Sequence, residues 1–211
     1  MRSDFLHQAP KTGPGRPRNR ETHAAILAAV AGLLAEGGYP AVSIEAVAAR
    51  AGVGKQTIYR WWPGKAELVL EHMIALAATM PAPDTGDMIA DLRIFLRATC
   101  QAWIVGGTGA VVAALMAEAQ VNPAFAQLFF QHLIGQRRAA LREVLQRGRG
   151  RGDLSAGQDL DLLLDMIYGP MWYRLLLGHA PLDDGFIDQL LAGLGLVRKG
   201  GESANTPTLS G

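Results

Sequence analysis

Ser43-Ile44-Glu45-Ala46-Val47-Ala48-Ala49-Arg50-Ala51-Gly52-Val53-Gly54-Lys55-Gln56-Thr57-Ile58-Tyr59-Arg60-Trp61-Trp62-Pro63-Gly64-Lys65 decides the fold of this chain. Ser43 stands where an N-cap belongs, its hydroxyl able to satisfy a free backbone N–H. The helix it opens runs from Ile44 to Arg50 and ends at Gly52. A second helix runs from about Lys55 to Trp61. Two short helices joined by a glycine turn, the second studded with polar and aromatic groups, form a helix-turn-helix. Ile58 and Trp62 are four residues apart and are predicted to face the core. Pro63-Gly64 then breaks the chain before a further helix, Lys65 to about Met80.

Upstream, Ile26, Leu27, Val30, Leu33 and Leu34 share one face of a helix predicted from Arg20 to Glu36. Gly37-Gly38 stops it, as glycine commonly does at a helix C-terminus. Residues 1–19 hold almost nothing to bury and read as a disordered basic arm. Within it Gly13-Pro14-Gly15-Arg16-Pro17-Arg18 resembles an AT-hook, an extended segment that lays arginines, here Arg16 and Arg18, in a narrow minor groove.

Charge supports a polyanionic partner for the front end alone. Residues 1–65 hold nine Lys/Arg and four Asp/Glu, a net of +5, and residues 66–211 hold eleven and fifteen, a net of −4. The surfaces predicted for DNA follow from side-chain chemistry. The Gln56 amide suits a bidentate pair with adenine, and Lys55 and Arg60 suit phosphate or guanine. Tyr59 can donate its hydroxyl to a phosphate. Lys65 opens a helix whose free N–H groups favour the same anion, and Ser43 can serve one in the same way. Thr57 and Trp61 complete the exposed set, Trp61 being equally suited to packing.

The order of a long amphipathic helix, Gly-Gly-Tyr-Pro, Ser-Ile-x-x-Val-Ala, Ala-Gly-Val-Gly-Lys-x-Thr-Ile-Tyr, an aromatic and Gly-Lys-x-x-Leu resembles the DNA-binding domain of the tetracycline-repressor (TetR/AcrR) family of transcriptional regulators. The resemblance covers residues 20 to about 72. It implies that Thr57, Tyr59, Arg60 and Lys65 touch operator phosphates. Family members often have His at the position of Arg60, Phe at that of Trp62 and a small residue at that of Gln56. These departures bear on the choice of operator and not on the fold.

The remainder is apolar and helical, and nothing reads as a strand, so the fold class is all-α. Segments are predicted from Met88 to about Val105, Ala110 to Ala119, Pro123 to about Arg147, Asp159 to Leu177 with a kink at Gly169-Pro170, and Phe186 to Val197. Residues 98–117 carry no charge, but Gly106-Gly107-Thr108-Gly109 divides them, so they read as two buried helices and not a membrane span. The boundaries expected are a helix-turn-helix unit at 20–65, a helical effector-binding and dimerisation unit at 66–198, and a disordered tail at 199–211. Leu160, Leu162, Leu163, Leu164, Ile167, Leu175, Leu176 and Leu177 spread round more than one face, which calls for a partner beyond the helix's own core. Tyr168-Gly169-Pro170-Met171-Trp172-Tyr173-Arg174-Leu175-Leu176 resembles a motif of one subgroup of the family's C-terminal domains. The family pattern implies a homodimer through helices at about 159–178 and 185–197.

An effector pocket is expected among Trp103, Met116, Phe125, Phe129, Met166, Tyr168, Met171, Trp172 and Tyr173, since Met and aromatic side chains suit adaptable apolar sites. Arg137, Arg138 and Arg142 read more as a wet helix face than as receivers of an acidic ligand. The five histidines are scattered without metal-ligand spacing, so no metal site and no cofactor is expected. The single cysteine, Cys100, excludes an intrachain disulfide, and Met1–Arg20 has no apolar signal core, which fits a cytoplasmic setting. The function expected is a dimeric repressor that binds a roughly palindromic double-stranded operator and is released by a small molecule. The alternatives are an activator or a ligand-independent regulator. A helical enzyme ranks last, lacking a nucleophile elbow, phosphate loop or paired carboxylates.

Overall fold

The computed structural model describes residues 16–80 and 82–196. The disorder expected of residues 1–15 and 199–211 falls outside them. Helix α1 (Arg16–Ala41) begins four residues before the predicted start, with Pro17 in its first turn. A helix tolerates proline there because the missing N–H has no intrahelical partner to lose. The expectation of an extended arm is therefore corrected at Arg16–Asn19, Arg16 and Arg18 included: their backbone is helical. Near its end α1 is interrupted, as expected, at Gly37 and Gly38. Gly38 sits at φ 65°, ψ −162°, a conformation essentially closed to residues with a Cβ.

Three short elements follow: α2 (Ile44–Ala51), α3 (Lys55–Tyr59) and α4 (Lys65–Ala77). The body comprises α5 (Met88–Ile104), α6 (Thr108–Val121), α7 (Pro123–Phe129), a π-helical turn (Phe130–Ile134), α8 (Gly135–Arg151), α9 (Leu160–Leu177) and α10 (Asp184–Gly193). No strand occurs among the described residues. The helix predicted from Pro123 is thus two helices joined by a π turn. Helix α9 runs unbroken through Gly169-Pro170 to Leu177, with Pro170 inside it. The uncharged run at 98–117 folds as two helices, α5 and α6, that meet at 85°. Arg20–Ala41 is long and apolar enough to cross a membrane, yet Ile26, Ala29, Val30 and Leu33 from it lie in a protein core.

Packing gathers the helices around two cores. One core joins α1, α2, α3 and α4 to Val111, Val112 and Leu115 of α6, Phe125 and Phe129 of α7, and Leu133 of the π turn. The other joins α5, α8, α9 and α10 through residues such as Phe95, Leu141, Leu164, Ile167 and Leu191. Trp172 packs against both. The helix-turn-helix therefore shares its interior with the middle of the chain.

Within the second core α8 and α5 touch at Gly148, where a Cβ would lie 2.2 Å from the Met88 sulfur and 3.0 Å from the Met88 Cβ. Gly148→Ala is expected to destabilise the protein by about 1–3 kcal/mol through overpacking. A lowered midpoint in denaturant unfolding checks it.

Candidate nucleic-acid interface and internal cavity

Local chemistry builds the helix-turn-helix as the sequence predicts. Ser43 Oγ accepts from the Ala46 N–H at 3.0 Å. Its own proton remains free to reach a phosphate, since a hydroxyl both donates and accepts. Gly52 closes α2 in the left-handed region at φ 65°. Ile58 and Trp62 are buried, which fixes how α3 is rolled. The outer side of that roll presents Lys55, Gln56, Tyr59 and Arg60 to solvent, with Thr57 half-buried beside them. Tyr59 is 48% exposed, a large ring with no packing reason to stay out.

Cations on this surface are already engaged within the protein. Lys55 Nζ lies 2.6 Å from Glu45 Oε1 of α2, and that bond raises the lysine pKa. Lys65 Nζ lies 3.8 Å from the centre of the Tyr39 ring, and partial burial lowers its pKa from the usual value. Trp61 is drawn into packing more than onto the outer face. It is half-buried, edge-on to Trp62 at 5.4 Å and to His23 at 5.5 Å, with the Arg60 guanidinium 5.2 Å from its ring.

Glu71 of α4 holds this corner together, a role not legible beforehand. Its Oε2 accepts from Trp62 Nε1 at 2.6 Å, and its Oε1 lies 2.8 Å from His23 Nε2 of α1. Burial pushes the carboxyl up, but the hydrogen bonds from His23 and Trp62 outweigh it, so the net pKa is lowered from 4.5. A depressed carboxylate stabilises the fold above its unfolded pKa, and the contribution is lost as pH falls through the folded value. The fall in Tm on acidification below 4.5 is accordingly expected to be smaller in Glu71→Gln than in the parent. Parallel thermal melts across that range check it.

The second feature is a cavity at the seam between the two cores, about 620 Å³ with its open mouth included. Met73, Leu76 and Ala77 of α4 form one wall, with Met80 just beyond. Trp103 of α5 and Trp172 of α9 form another, their rings 5.3 Å apart. Val112, Leu133 and Ile134 close the apolar lining. The π turn brings Leu133 and Ile134 to this wall, and such turns are frequent at functional sites.

Of the nine residues expected in a pocket, Trp103, Tyr168 and Trp172 line this one. The other six do not. Phe125 and Phe129 stack on each other at 6.1 Å in the first core, and Met116 packs against the same core. Met171 is fully buried in the second core. Met166 and Tyr173 are 47% and 60% exposed on the outer face of α9, in line with Leu162 and Leu176. Arg137, expected on a wet face, lines the cavity instead. Its guanidinium lies 4.2 Å over the Phe95 ring, and Nη2 donates to Thr99 Oγ1 at 3.2 Å. No group of three or more potential metal ligands occurs among the described residues.

Comparison with known proteins gives this geometry its context. Residues 26–72 match the model of the bacterial regulatory proteins of the tetR family, and residues 82–194 match that of the tetracyclin repressor-like C-terminal domain. The chain is 35% identical to the uncharacterized HTH-type transcriptional regulator YdeS of Bacillus subtilis, over 84% of this chain and 89% of that one. It is 32% identical to the DNA-binding transcriptional repressor TetR of Mycobacteroides abscessus, over 85% and 95% of the two chains. Among solved structures, a TetR family transcription regulator superposes with a TM-score of 0.74 at 35% identity, covering 84% of this chain and 98% of the other.

Proposed function

Because this chain belongs to the TetR family of DNA-binding transcriptional regulators, we propose that it is a cytoplasmic homodimeric repressor, released from a roughly palindromic operator by a small molecule entering the seam cavity. Each protomer lays α3 in the major groove, and the two copies sit one helical turn apart, roughly 34–36 Å. Gln56 reads a base edge. Lys55, Thr57, Tyr59, Arg60, Lys65 and Ser43 hold the flanking phosphates, and Arg16 and Arg18 add charge ahead of them. The body acts by binding and not by catalysis.

One observation carries the release mechanism: α4 serves both sites. Its Glu71 is bonded to Trp62, just beyond α3, while its Met73, Leu76 and Ala77 wall the cavity. A ligand that fits the cavity better when α4 is displaced favours the conformer in which α3 is mis-set. DNA affinity then falls by the ligand's difference in affinity for the two states.

Selection of bound fragments from a random DNA pool is expected to enrich a site with two-fold symmetry. Enrichment of no symmetric site overturns the reading. Loss of the gene is expected to raise output from a reporter carrying that site. On the selected site, Lys65→Ala is expected to reduce the slope of log affinity against log salt by about 0.9, one phosphate contact. Tyr59→Phe removes a neutral donor, so affinity should fall roughly three- to tenfold with the slope unchanged. Fluorescence anisotropy over a salt series separates the two.

A further inference from the structure

The polar groups at the seam cavity are unequally committed. Thr108 Oγ1 donates to Ala102 O at 2.8 Å, and Tyr168 OH donates to Arg137 O at 3.2 Å. Thr99 Oγ1 donates to Phe95 O at 3.0 Å. Each hydroxyl proton is therefore already used within the protein. Arg137 is different. A guanidinium carries five N–H donors, and among the described residues its one side-chain hydrogen-bond partner is the Thr99 hydroxyl.

Arg137 also has no carboxylate within 4.0 Å among the described residues, whereas Arg138 and Arg142 on the same helix pair with Asp161 and Asp165 of α9. Burial lowers its pKa from the usual arginine value, a sign that the charge is poorly solvated. The Phe95 ring lies beneath it, its centre 4.2 Å from the guanidinium carbon. A fork of spare donors, beside a largely apolar chamber and with no counter-charge among the described residues, is complementary to a planar anion. The chamber's Trp and Met walls suit an apolar or aromatic body.

We propose that the seam cavity takes an amphipathic monoanion, an apolar or aromatic body bearing one carboxylate, with Arg137 as the group that receives the anion. The assignment rests on the reading of this cavity as the effector site. A carboxylate seated there gains charge-assisted hydrogen bonds and supplies the charge that the fold leaves unmatched. A neutral isostere of the same shape gains only the apolar contacts.

The test is calorimetric titration of the full-length protein with two matched pairs, 2-naphthoate against 2-naphthamide and decanoate against decanamide. At least one acid is expected to bind about tenfold or more tightly than its amide, the rough worth of a hydrogen bond to a charged group. Arg137→Gln is expected to abolish that preference, and Arg137→Lys to retain part of it. Equal binding of acid and amide by the parent overturns the anion assignment while leaving the cavity a binding site. So does an acid preference that survives in a folded Arg137→Gln protein. No binding by any of the four compounds overturns both the anion assignment and the effector-site reading.

Discussion

Replacing Leu162 and Leu176 together with glutamate is expected to yield a monomer in solution and to weaken operator binding by roughly 10²–10⁴-fold, the loss of linked binding by two modules. Leu162, Met166, Tyr173, Leu176 and Leu177 are each between 47% and 60% exposed, and they line one side of α9. Gly169 and Pro170 lie on the same side, with open space around Gly169, so a second helix can approach closely at mid-length. The opposite side of α9 is spent on its own core through Leu163, Leu164, Ile167 and Met171. Charge added to the outer side therefore leaves the protomer's packing intact. Sedimentation velocity checks assembly, circular dichroism checks that helix content persists, and anisotropy on the selected operator checks affinity. A variant that remains a dimer removes α9 from the interface.

The largest loss of stability is expected from Trp62→Ala, about 3–5 kcal/mol. The indole is 3% exposed, stacks on His23 at 5.1 Å, meets Trp61 edge-on and donates to Glu71. Truncation opens a cavity and also takes a donor from a half-buried carboxylate, which adds its own desolvation cost. Trp62→Phe keeps most of the apolar contact and loses the donor, so its effect is expected to be smaller. Guanidinium unfolding followed by circular dichroism ranks the two. Equal midpoints for Trp62→Ala and the parent would mean that the aromatic corner contributes nothing to holding α3.

The helix-turn-helix was legible because its determinants are local. Ser43 caps α2 through a residue three positions on, Gly52 turns the chain by its own backbone, and the spacing of Ile58 and Trp62 sets the roll of α3. Where sequence reading failed, the missing information was long-range or permissive. Gly-Arg-Pro reads as extended, yet proline is also welcome in a helix's first turn, and α1 uses it there. The π turn alters helical register without any change in hydrophobic pattern. Apolar periodicity also does not say which neighbour a face meets. Phe125, Phe129 and Met171 therefore looked like pocket walls and proved to be core, while Met166 and Tyr173 turned outward. Arg137 differs from Arg138 and Arg142 only in where α5 and α9 lie, and no local signal separates them.

The interior that α6 and α7 share with the first four helices sets where this chain can be cut. A fragment ending after α4 would leave Val30, Leu68 and Met73 without the Val112, Leu115 and Phe125 surfaces that complete their core. Hybrid regulators that graft the DNA-reading half of one such protein onto the sensing half of another must therefore carry both middle helices with the graft. A junction placed in the apparent linker near residue 84 would divide one folding unit and join two incomplete ones.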